Sequence, residues 1–75
     1  MHNPRRRVNA DHARLALRAM AAAGHTQRTL AAATGLALTS IQRIHSGEAV
    51  RCEAQAATSI IWHWMFLAMC AKEAA

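Results

Sequence analysis

Tyrosine is absent from this chain, phenylalanine occurs once, and tryptophan and valine occur twice each. Few of the aromatic and β-branched side chains that fill a pleated sheet are therefore present, which excludes a β-rich fold. Charged residues are only 17% of the chain and hydrophobic ones 53%, which excludes intrinsic disorder. Two cysteines, Cys52 and Cys70, are too few for a disulfide scaffold and do not form a CxxC pair. Reduced, intracellular thiols are the simplest expectation. The five histidines are scattered, none of them four residues from another, so the ligand spacing of a zinc site is missing. No apolar stretch follows the amino-terminal arginines, and no signal peptide is read there. Paired carboxylates and a nucleophile with a partner base are missing too, so we expect no enzyme, no catalytic residue, no metal and no cofactor.

Acidic residues are also scarce, four against nine basic ones, and eight of the nine are arginine. Up to Arg51 the eight arginines face only Asp11 and Glu48, an excess of six positive charges. From Cys52 onward Lys72 is outnumbered by Glu53 and Glu73. An arginine-rich front two thirds suits phosphates and base edges, with an acidic membrane surface as the rival partner.

Alanine is what the chain has in abundance, 19 of its 75 residues. Alanine favours helix but buries little area, so 21 larger apolar side chains must carry the core. Nine of these fall between Ile60 and Cys70. The length allows one small domain. We expect an all-α fold of four main helices, with a basic arm over residues 1–8 and a single domain over 9–75.

Local signals divide the domain. Residues 1–8 carry Pro4 and the run Arg5-Arg6-Arg7, and read as an unpacked arm. Asn9 is an N-cap candidate, with Asp11 in the first turn where the helix dipole favours a carboxylate. The first helix then runs to about Ala23 and stops at Gly24, with Ala13, Leu17 and Met20 inward and Arg14 and Arg18 outward. Thr26 caps a short second helix, Gln27 to Thr34, ended by Gly35. A third helix, about Leu38 to Ser46, ends at Gly47. After the polar link Glu48 to Arg51, a fourth helix covers about 52–71.

The stretch Gln27-Arg28-Thr29-Leu30-Ala31-Ala32-Ala33-Thr34-Gly35-Leu36-Ala37-Leu38-Thr39-Ser40-Ile41-Gln42-Arg43-Ile44-His45-Ser46 meets several demands in one register. Two short helices crossing steeply need a small residue where they touch, which Ala31 supplies. Their tight turn needs positive φ, which Gly35 adopts cheaply. Leu30, Leu36, Ile41 and Ile44 point inward and pin one helix on the other. This spacing, over about residues 27–46, resembles the helix-turn-helix of the lambda repressor and Cro family. It is also similar to small DNA-binding proteins of phages and actinobacteria. The likeness spans about Ala13 to Gly47, and it departs at Ala37, where that family usually has a capping Ser or Thr.

The resemblance implies a third helix lying in the major groove of double-stranded DNA. Its outward residues are then Leu38, Thr39, Ser40, Gln42 and Arg43. Arg43 suits guanine, Gln42 suits adenine, and Leu38 suits a thymine methyl. Thr26 and Gln27, at a helix N-terminus, and Arg28 suit the phosphate backbone. For Arg5, Arg6 and Arg7 two readings stand: insertion into a minor groove or phosphate contact, or a solubilising tail. The word repressor, a phage-type role and a cytoplasmic location in a bacterial or phage-infected cell come from the resemblance alone.

From Ala54 to Ala71 there is no charged residue, and on a helix this stretch has two apolar faces. One is Ala57, Ile60, Trp64, Leu67 and Ala71. The other is Ile61, Met65 and Met69, flanked by Trp62 and Phe66. One face closes the core and the second must be covered elsewhere. A second copy of the chain is the first candidate, giving a homodimer with Ile61, Trp62, Met65, Phe66 and Met69 at its seam. A further domain or a protein partner is another. A membrane is the third, but Gln55, Thr58, Ser59 and His63 interrupt a stretch at the lower edge of spanning length. Which face turns inward is open at this point. The rival to DNA binding is a protein-interaction module, such as an antitoxin or adaptor, that uses this helix.

Overall fold

A computed structural model describes residues 5–74 of the chain. The order is β1 (Arg7–Asn9), α1 (Asp11–Ala22), α2 (Gln27–Thr34), α3 (Leu38–Ser46), β2 (Arg51–Glu53) and α4 (Ala54–Ala74). The four helices agree with the sequence reading, but the fold is not all-α. Strands β1 and β2 pair antiparallel, with Arg7 opposite Glu53, Val8 opposite Cys52 and Asn9 opposite Arg51. The period-2 pleat turns Val8 and Cys52 inward and leaves their neighbours exposed. These two inward side chains hold the three-residue ribbon together with its ladder and with the flanking bonds from the Ala10 amide to the Val50 carbonyl and from the Ala54 amide to the Arg6 carbonyl.

The ribbon corrects two boundaries. The basic arm expected over 1–8 is tied down from Arg6 onward, because the Arg6 carbonyl accepts from the Ala54 amide at 2.7 Å. Residues 1–4 of that arm lie outside the described residues. The fourth helix, expected from 52, starts at Ala54 because Arg51–Glu53 is drawn into the extended ladder. Its first amide is satisfied by the Arg6 carbonyl. The first helix is similarly displaced. It starts at Asp11 with buried Ala10 as its cap residue, and Asn9 acts from the strand by accepting the Asp11 amide at 2.7 Å.

The next two helices follow their local signals. Thr26 accepts the Thr29 amide at 3.1 Å, an N-cap bond that starts α2. Gly35 ends α2 in the left-handed region at φ 74°, and Gly47 ends α3 at φ 94°. The core they enclose comprises Leu17, Met20, Leu30, Ile41, Ile44 and Ile60, with small residues such as Ala13, Ala16 and Ala31 at the close approaches. Helix α4 packs on α1 through Ala57 and Ile60, with Ile61, Trp64 and Leu67 partly covered. Among the described residues no helix is long and apolar enough to cross a membrane.

Candidate nucleic-acid interface

Helix α3 is held from three directions. Ile41 and Ile44 are buried against the core, Gly35 and Gly47 set its entry and exit, and its carboxyl end is held by α1. Arg14, expected outward, turns in. Its Nε donates to the Ile44 carbonyl at 2.8 Å, one Nη donates to the Ala49 carbonyl, and the other pairs with Asp11 at 2.9 Å. One turn further on, Arg18 donates to the His45 carbonyl at 3.2 Å. Carbonyls at a helix C-terminus lack intrahelical partners and carry negative partial charge, so two guanidiniums there are electrostatically matched. Sequence reasoning missed this role of Arg14, because its partners are 30 and 35 residues away.

With those contacts made, Thr39, Ser40, Gln42 and Arg43 remain exposed along α3. Leu38 departs from the expectation: it is half-buried and packs against the core, so it is not a fully outward groove residue. The Ala37 cap residue offers no side-chain acceptor to the first turn of α3. Arg43 reaches toward Glu48, with Nε 3.9 Å from the carboxylate. Both groups are largely exposed, and a pair that long in water is weak.

At the start of α2, Thr26 and Arg28 are exposed and Gln27 is half-buried. The Thr26 hydroxyl also lies 2.9 Å from that of Thr29. On the arm, Arg5, Arg6 and Arg7 are all exposed, with Arg7 fixed in β1. An open cleft of about 280 Å³ separates α3 from the ribbon. Ser40 and Arg43 line one side of it, Arg7 and Arg51 the other. The structure therefore brings Arg7 together with the α3 residues, while Thr26, Gln27 and Arg28 are not part of that cleft. Arg51 is absent from the sequence-based set, because a strand of three residues carries too little alternation to be read. Cys52 borders the same cleft, and burial pushes its thiol above the ordinary range despite nearby Arg7 and Arg14.

On α4, Trp62, Met65, Phe66 and Met69 are 65%, 49%, 58% and 63% exposed. Their spacing of three, four and seven residues places them in one row on the helix. Ile61, expected in the same row, is instead half-buried against the core. Trp64 and Leu67 are half-buried on the inward side, which resolves the rotation of α4. Compared with protein-family profiles, with curated proteins and with solved structures, the chain matches none.

Proposed function

We propose that the chain is a sequence-specific double-stranded DNA-binding protein, a phage-type transcriptional repressor that acts as a dimer on an inverted repeat. The observation that carries this reading is α3 itself. It is a short helix with Ile41 and Ile44 anchored and its carboxyl end capped by Arg14 and Arg18, and it presents Thr39, Ser40, Gln42 and Arg43 to solvent. Such a helix fits the major groove, with Arg43 as the guanine reader and Gln42 the adenine reader. Arg28 and the start of α2 take the backbone, and Arg5 and Arg6 add attraction that weakens with salt. The role of repressor and the cytoplasmic setting rest on the likeness to the lambda repressor and Cro family.

The exposed row on α4 supports the dimer. Two α3 helices about 34 Å apart would read successive major grooves, and linking two weak half-sites raises affinity without a new contact type. The same row supports a second reading, an antitoxin or adaptor that docks a protein on Trp62, Met65, Phe66 and Met69. Arginine placement favours DNA, because a pure adaptor has no use for α3's basic surroundings.

Footprinting on the DNA that flanks the coding sequence provides the site, and two variants provide the test. Arg43→Ala costs roughly 1–3 kcal/mol on that site and relaxes preference at one base pair. Arg28→Ala weakens all sequences alike and lowers the salt slope by about one unit. Equal loss on random and cognate duplexes with Arg43→Ala would remove α3 as the reader.

A further inference from the structure

The cleft between α3 and the ribbon gathers three guanidiniums, those of Arg7, Arg43 and Arg51, around an open space of about 280 Å³. Like charges repel, so such a group is stable only where something else holds it. Backbone carbonyls do so for two of the three. Arg7 donates an Nη hydrogen to the Arg51 carbonyl at 3.1 Å, and Arg51 donates one to the Arg7 carbonyl at 3.4 Å. The two side chains thereby brace each other diagonally across the strands, each spending one of five donor hydrogens. Carboxylates do not neutralise them: among the described residues, neither Arg7 nor Arg51 has a carboxylate oxygen within 4.0 Å. Glu53 borders the cleft, and Glu48 lies nearest Arg43, so two acids partly offset three cations, two of them held in place. Burial keeps the Cys52 thiol protonated, and the wall of the cleft gains no further negative charge.

We propose that this cleft is a phosphate-binding site in which Arg7 and Arg51, with the Ser40 hydroxyl opposite, clasp one backbone phosphate beside the groove that α3 enters, while Arg43 at the edge of the cleft keeps its fork for the base. The proposal rests on the DNA-binding reading and adds a second function to the ribbon. Guanidinium forks match phosphate oxygens bidentately, and the two braced side chains have already lost part of their freedom before a ligand arrives. The location favours a phosphodiester. An α-helix in a major groove about 12 Å wide has a phosphate strand along each flank, and the cleft runs along one flank of α3. Ser40 and Arg43 belong to both surfaces, so base reading and phosphate binding are coupled through one helix face.

The test measures binding of the full-length chain to cognate and random duplexes across a salt series, with circular dichroism to confirm folding of each variant. Arg51→Ala is expected to weaken both duplexes by the same factor, about tenfold, and to lower the salt slope by about one unit. Arg51→Lys, which keeps the charge without the fork, is expected to recover the slope but only part of the affinity. Unchanged affinity and slope in Arg51→Ala, while Arg43→Ala still loses discrimination, overturns the clasp and leaves the DNA reading standing. Absence of duplex binding by the unaltered chain at low salt overturns both. Inorganic phosphate, titrated while the arginine Nε–H signals are followed by NMR, separates the two phosphate sources. Weak saturation at Arg7 and Arg51 that duplex displaces supports the clasp. Tight saturation in a chain that binds no duplex overturns DNA as the ligand and assigns a free anion.

Discussion

Replacing Arg14 is the sharpest perturbation of the way α1 holds α3. The side chain is only 16% exposed and donates to the carbonyls of Ile44 and Ala49, while its partner Asp11 is 71% exposed. A hydrogen bond from a charged donor contributes about 1.5–3 kcal/mol where it is dry. Here each bond falls below that range, since shortening the side chain lets water reach both carbonyls. The pair with Asp11 adds at most about 0.5 kcal/mol, because that carboxylate is solvated. About 1 kcal/mol for each carbonyl bond, plus lost packing of the aliphatic stem, gives roughly 2–3 kcal/mol for Arg14→Ala. In a domain this small that is a drop of roughly 10–20 °C in Tm. Arg14→Met separates the contributions, since it keeps the stem and removes the donors; it should lose most of the same amount. Arg18→Ala serves as the control, with an exposed side chain and longer bonds, and should lose under about 0.5 kcal/mol. Urea unfolding followed by circular dichroism measures all three. Equal stability of Arg14→Met and the unaltered chain, or equal losses in Arg14→Ala and Arg18→Ala, would refute the capping role.

Gly35→Val should destabilise the domain by more than about 1 kcal/mol, entirely through the backbone, because φ is 74° and an added Cβ meets nothing within 4 Å. Gly35→Asn, more tolerant of that region, should lose less, and urea unfolding that ranks the two in reverse would count against a strained turn. Exposed Cys70 should be alkylated promptly and buried Cys52 slowly, with denaturant abolishing the difference; equal native rates would contradict the burial of Cys52. Because the Cys52 thiol is raised in the folded state, its contribution to stability is full below about pH 8.5, where the unfolded thiol stays protonated. That contribution is lost as pH rises toward the folded value, and Cys52→Ala should remove this alkaline sensitivity. Sedimentation at micromolar concentration should show a dimer that Trp62→Ala combined with Phe66→Ala converts to monomers lacking operator binding. A well-folded monomer of the unaltered chain would end the dimer proposal.

Much of the fold was legible because its signals act over a few residues. The Thr26 cap, the left-handed Gly35 and Gly47, and the apolar spacing of Leu30, Ile41 and Ile44 each concern neighbours within about a turn or two. They locate α2 and α3 without reference to the rest of the chain. The exposed row of α3 follows from the same periodicity, and only Leu38, the first helical residue after the Ala37 cap, where the pattern is weakest, was misplaced.

What tertiary structure decided lies at long range. The ribbon joins residues 44 apart in sequence, and three-residue strands carry too little alternation to announce themselves. Its pairing is worth forming because Val8 and Cys52 pack against the core that the helices supply, and it sets where α4 starts. The fourth helix has two apolar faces of comparable strength, so its rotation awaited the surface of α1. Arg14 shows the same dependence most sharply. On an isolated helix it is an outward cation beside Asp11, and it becomes a cap only when folding brings the carboxyl end of α3 within reach. Caps and turns are written in the sequence because their energies are local; long-range partners are not, because chain separation hides them until the core closes.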